Sequence, residues 1–182
     1  MSVFSSIETN LKRSAIALGI AAAVAAPAFA ATQGTIGATS QGSVLISLDV
    51  DDVLQISGLT DILGLTFTGA DVSGSTDACV YRNGGLAYSV TATGDGGAGG
   101  TDFSLSDAGG ANSVPYTVSF DDGSGGSPLT SGTAATMAGA SDATDCNSTP
   151  NVQVTVDIAA ADAAAAPAGS YTGTLTLLVD AP

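Results

Sequence analysis

The chain has 182 residues, a formal net charge of −14, 24 Gly and no His. Beyond residue 30 it holds sixteen Asp against a single cation, Arg82, and no Lys, Glu or Trp, so that part carries about −15. Most catalysis is excluded by this inventory, because general acid–base and nucleophilic chemistry draws on His, Lys, Glu or Cys beside a tuned partner; binding of nucleic acid or anionic lipid is excluded too, because both need clustered Lys and Arg.

Residues 1–30 read as a cleaved signal peptide. Lys12 and Arg13 precede an apolar run over 15–26, and Ala28-Phe29-Ala30 offers small residues to a signal peptidase. The run is about a dozen residues, whereas a membrane-spanning helix needs roughly 20. Export leads to an oxidising compartment, where the pair Cys79 and Cys146 is expected to form a structural disulfide. Closing a loop of that length is worth roughly 4 kcal/mol by chain entropy.

The rest reads as one β-rich domain. Val44, Ile46 and Leu48 alternate with other residues at strand period, and shorter strands are predicted at 53–57 and 63–68. A strand over 78–82 ends at Asn83-Gly84-Gly85, residues that accept positive φ, and Leu86, Tyr88 and Val90 resume, which predicts a hairpin. The Gly-rich run 94–100 is read as a mobile loop tip; it lacks the Lys and helix of a phosphate cradle. Strands follow at 103–106 and 114–120, then a turn at 121–126, and then a Ser, Thr and Ala-rich stretch without periodicity as far as Cys146. Val152, Val154, Val156 and Ile158 make another strand. Residues 159–166 give a connector or one helical turn before Pro167, because eight Ala-rich residues are too short to be a helix alone. Tyr171, Leu175, Leu177 and Val179 close the chain as a terminal strand. Short strands at this spacing predict an all-β fold, a single antiparallel β-sandwich.

The terminal segment Ala168-Gly169-Ser170-Tyr171 with its alternating continuation resembles the last strand of spore coat protein U-like proteins and archaic-type chaperone–usher pilus subunits, which end in an AGxYxDxxxVxV pattern. Gly173 stands where that pattern often has Asp. The cysteine spacing is wider than in common pilins, and Asp180-Ala181-Pro182 lacks a terminal aromatic. The resemblance implies an incomplete immunoglobulin-like, pilin-like sandwich, held by a periplasmic chaperone, delivered to an outer-membrane usher and completed by the N-terminal strand of a neighbouring copy. It therefore implies a fimbrial or coat-like homo-polymer on the cell surface.

Residues 31–42 form an N-terminal extension before a sandwich at 43–182, with the donor strand continuing to 49. Ile36, Ala38, Ser40, Gly42, Val44, Ile46 and Leu48 share one face, apolar with small residues in its middle, as a strand added to an open sheet edge requires. Ile36, Gly42, Val44, Ile46 and Leu48 are the candidate partner-binding residues. A second reading stays open, in which residues 43–50 are the first strand of the chain's own sandwich and 31–42 a leader.

The acidic pairs invite a calcium reading, but Asp beside Gly and Ser is the ordinary chemistry of turns, and no metal site or cofactor is expected. Arg82 is expected to pair with a local Asp or to point to water, and Tyr81, Tyr88, Tyr116 and Tyr171 to be core or interface rings. The rival function is a monomeric secreted module that binds glycan or calcium through its Asp- and Gly-rich loops.

Overall fold

The computed structural model describes residues 31–97 and 100–182, so the signal-peptide reading of residues 1–30 lies outside the described residues. The chain divides into two compact units, Met1–Asp49 and Val50–Pro182.

In the first unit Thr32 and Ser43 exchange backbone hydrogen bonds of 2.9 Å in each direction, closing residues 33–42 into a loop. Residues 44–49 take no regular secondary structure. The strand predicted over Val44, Ile46 and Leu48 does not form, because alternation makes a segment able to pair without supplying a partner.

The second unit is built of β1 (Leu54–Ser57), β2 (Val72–Arg82), β3 (Ala87–Thr93), β4 (Ser104–Asp107), β5 (Ser113–Pro115), β6 (Thr117–Asp121), β7 (Ser127–Leu129), β8 (Ala134–Gly139), β9 (Val152–Ile158), β10 (Tyr171–Thr172) and β11 (Thr176–Asp180), with one short helix, α1 (Ala160–Ala165). A five-stranded sheet runs β1-β2-β9-β6-β7. Two three-stranded sheets run β11-β3-β8 and β10-β4-β5. The strand pairs are all antiparallel. The fold is a pilin-like, all-β sandwich. Its core is made of the inward residues of the alternating strands: Tyr88 and Val90 from β3, Val118 and Phe120 from β6, Val154 from β9 and Val80 from β2 are fully buried. The Phe120 ring meets the Tyr88 ring edge-on, with centroids 6.4 Å apart.

Two stretches that read as single strands change sheets. The first breaks at Tyr116, so that β5 pairs with β4 and β6 pairs with β9. Pro115 has no N–H with which to continue a central ladder. The second breaks between β10, on β4, and β11, on β3. A Cβ at Gly173 would stand 3.0 Å from the Ser104 carbonyl oxygen, so the close crossing of these strands needs glycine.

Other expectations are corrected. Residues 63–68 form no strand; Ile62 and Leu65 fold over the inner side of β2, where a Cβ on Gly74 would overlap Ile62. β2 begins at Val72 rather than 78, since inward Gly74 and Thr76 carry no apolar signal. The aperiodic stretch contains β7 and β8. The tip of the Gly-rich run, residues 98–99, lies outside the described residues; on either side of it the chain is paired as a hairpin, with Gly94 N donating to Thr101 O at 3.0 Å and Gly96 and Asp102 exchanging bonds of 3.1 and 2.9 Å. A Cβ on Gly94 would overlap the Asp102 carbonyl oxygen, which is why glycine stands there.

The turn between β2 and β3 forms as its residues predict, with Gly84 at φ 79° and Gly85 at φ 62°. Cys79 on β2 is bonded to Cys146 with their Cα atoms 5.7 Å apart. Asn151 reinforces the same place, its side chain accepting from Val80 N at 2.9 Å and donating to Val80 O at 3.0 Å. Among the described residues no helix is long and apolar enough to cross a membrane.

Candidate functional site

The two sides of the sandwich are finished differently. On one side β7 carries Pro128, which offers no N–H at the edge, and the backbone N–H of Ala138 on β8 is taken by Asp122 Oδ2 at 2.7 Å. That side is blunted. On the other side β1 pairs only with β2 and β11 only with β3, and these two strands of different sheets come close to each other. Each has an outer edge with no paired strand among the described residues.

The open side is also where the core is incompletely covered. Leu54 and Ile56 of β1, Leu175, and Leu177 and Val179 of β11 are half-buried and pack on the core cluster. Unpaired backbone groups next to a row of half-buried apolar side chains are what an added strand uses: the backbone supplies hydrogen bonds and alternate side chains fill the gaps.

Two polar devices hold this side in shape. Asp95, at the root of the Gly-rich hairpin, sits against Gly173, where a Cβ would lie 3.1 Å from its Oδ1. The Thr174 backbone N–H, helped by the Thr174 hydroxyl, bonds this carboxyl and holds it below its ordinary pKa, against the opposing effect of burial. The start of β11 is thereby pinned. At β1 the device is Arg82, whose Nε donates to Asp52 Oδ1 at 2.9 Å and Nη2 to Asp52 Oδ2 at 2.5 Å, while Nη1 donates to the Ala87 carbonyl. The hydrogen bond from Arg82 holds the Asp52 carboxyl below its ordinary range. Arg82 thus pairs with an Asp, but it is 8% exposed and does not point to water. Nothing local in the sequence announces a partner 30 residues away.

The candidate partner-binding residues all lie in the first unit. Ile36, Val44, Ile46 and Leu48 are exposed, Val44 to 70% and Ile46 and Leu48 to 83%. Ile36 sits in the loop closed by Thr32 and Ser43, so the face from 36 to 48 is not one continuous extended strand in this structure. Gly42 lies at the neck of that loop, where a Cβ would stand 3.0 Å from Thr32 O.

Asp121, Asp122 and Asp145 are engaged in turns. Asp121 Oδ1 accepts from Gly123 N at 2.8 Å and Gly125 N at 3.1 Å, and Asp145 Oδ1 accepts from Asn147 N at 3.0 Å. Asp122 is held below its ordinary pKa by the Ser124 hydroxyl and then by the Ala138 N–H. Among the described residues no group of three or more His, Cys, Asp or Glu side chains is placed to hold a metal ion. Tyr88 and Tyr116 are core rings, the latter stacked on Phe103 at 5.6 Å, and the Tyr171 hydroxyl donates to Pro167 O at 2.8 Å.

The model of the Spore Coat Protein U domain matches residues 63–177, which covers the sandwich from the β1–β2 connection into β11 and leaves the N-terminal extension outside. No curated protein matches the chain. Among solved structures the chain is similar to one described as "Chaperone-tip adhesin complex is vital for synergistic activation of CFA/I fimbriae biogenesis", with a TM-score of 0.51 and 19% identity. That likeness is one of fold. It covers 71% of this chain and 41% of the other, so this chain spans well under half of that protein. With the match extending over more than half of its length, the chain belongs to the Spore Coat Protein U domain family.

Proposed function

We propose that this protein is an exported structural subunit of a surface fimbria or coat-like assembly, polymerising by donor-strand addition. Residues 36–48 of one copy lie along the outer edge of β11 in the next, with Ile36, Val44, Ile46 and Leu48 turned toward Leu175, Leu177 and Val179 and with Gly42 at the tightest approach. A periplasmic chaperone covers the same edge in transit, and an outer-membrane usher delivers the subunit. The work is mechanical, and no residue acts as a catalyst.

The single observation that carries this reading is the open β11 edge beside half-buried apolar side chains, in a chain whose own exposed apolar segment has no strand partner among the described residues. Family membership and the fold shared with a chaperone–adhesin structure support it. Burying four apolar donor side chains returns about 1.5–3 kcal/mol each, against an association cost of about 4–15 kcal/mol. Side chains alone therefore leave the balance near zero, and the backbone ladder along β11 decides it. Opening the Thr32–Ser43 bridge to extend the donor gives up only two hydrogen bonds, each worth about 1 kcal/mol net.

The test is gel electrophoresis of natively exported protein, boiled and unboiled, beside a variant lacking residues 31–49. Detergent-resistant multimers that collapse on boiling and are absent from the deletion support strand donation. A single folded, disulfide-bonded monomer in every lane overturns it and favours the monomeric secreted module binding glycan or calcium.

A further inference from the structure

The chain just before β1 is gripped by side chains as well as by one backbone bond that continues the β1–β2 pairing. Asp52 is held by the two-pronged Arg82 contact. On either side of it Asn83 takes the backbone: its Nδ2 donates to Asp51 O at 2.8 Å, its Oδ1 accepts from Val53 N at 3.0 Å, and its own N–H donates to Val53 O at 3.2 Å. The β2–β3 turn thus holds three consecutive residues, and Arg82 is tied in turn to the start of β3 through the Ala87 carbonyl.

Stability alone is a poor reason for this arrangement. The Asp52 side chain is 42% exposed, and an ion pair with a solvent-exposed partner contributes little to stability. What such a pair supplies is a fixed geometry, through the rigid fork of Arg on a carboxylate. Arg82 is moreover the only cation beyond residue 30. The location gives that geometry a use. The residues immediately preceding the grip end the exposed apolar stretch, and the strand immediately following it, β1, is four residues long and among the described residues pairs on one edge only, with Leu54 opposite Arg82 as its first pair. Pull applied through the N-terminal segment meets β1 at that first pair and would unzip it bond by bond.

We propose that Arg82, with Asn83, is a positioning residue that clamps the root of the strand-donating segment: it fixes where that segment leaves the sandwich and passes the load on a donated strand to the β2–β3 turn instead of peeling β1. The transmission of pull rests on the strand-donation reading above.

The experiment compares full-length exported protein with Asp52→Asn, Asn83→Ala and the charge-preserving Asp52→Glu. Amide hydrogen exchange at Val53 and Asn83 is expected to accelerate by about tenfold or more in Asp52→Asn and Asn83→Ala with β6 and β9 unchanged, the mark of a local opening, and Asp52→Glu is expected to recover part of the protection. Multimers of the first two variants should shorten under mechanical shear that leaves the parent intact. Unchanged exchange at Val53, an equal rise across β6 and β9, or full-length multimers after shear would each overturn the clamp. If the parent forms no multimers at all, strand donation and the transmission of pull fall together, while the exchange measurement still decides whether Arg82 anchors the chain.

Discussion

β9 and the segment around Val44, Ile46 and Leu48 are built on the same alternation, and they differ in their neighbours. β9 lies between β2 and β6, hydrogen-bonded on both edges, and its Val152, Val154, Val156 and Ile158 are buried. The other segment carries Val, Ile and Leu at the same period, takes no regular secondary structure and leaves all three exposed. The pair shows that a period-2 pattern states that a segment can pair, while the partner decides whether it does. In this family member a pattern and an edge that are both unpaired among the described residues occur in one chain.

The largest expected effect separates the two directly. Val154→Asp puts a charge at a position 1% exposed and should cost more than about 4 kcal/mol, as buried unpaired charges do. Ile46→Asp should leave the monomer within about 0.5 kcal/mol of the parent and yet abolish multimers. Chemical denaturation with unboiled gels checks both; equal losses of stability would erase the contrast. Next is the Cys79–Cys146 bridge, which closes a loop across 67 positions of the sandwich. Its replacement by Ser at both positions should lower stability by about 4 kcal/mol, read as the denaturant midpoint with and without reductant.

Gly173→Ala should cost about 1–3 kcal/mol, as overpacking does, because its Cβ would press on the Ser104 carbonyl and Asp95. The loss should show first as faster exchange along β11 and weaker multimers, with β9 untouched. The smallest effect is acid release of the β1 root. Asp52 is held below its ordinary pKa by Arg82, so the contribution of this contact is present in full above the unfolded carboxylate value of about 3.9 and is lost as pH falls through the lower folded value. Protection of the Val53 amide, followed by NMR, should therefore hold at neutral pH and fall only below about pH 4; Asp52→Asn should remove that step.

Much of the sandwich was legible in the sequence because its signals are local. The alternation of β9, the left-handed glycines after Asn83, and the short Ala-rich turn before Pro167 all form where their chemistry predicts. What was hidden depends on distant chain. Residues 63–68 have the side chains of a strand, yet the glycine-bearing inner side of β2 offers them a place to pack without pairing. The sheet changes at Tyr116 and Gly173 depend on β4 passing close by, and Arg82 meets Asp52 only once the turn folds back over β1. The open β11 edge had no sequence signature of its own, since Leu177 and Val179 alternate alike in an inner or an outer strand.

The most direct measurement is hydrogen exchange of β11 and of residues 36–48 in multimers compared with monomer. The account predicts that the outward amides of Thr176–Asp180 and the amides of the donor segment gain protection together, and lose it together when the multimers dissociate. Multimers in which either stretch exchanges as fast as in the monomer would contradict strand donation.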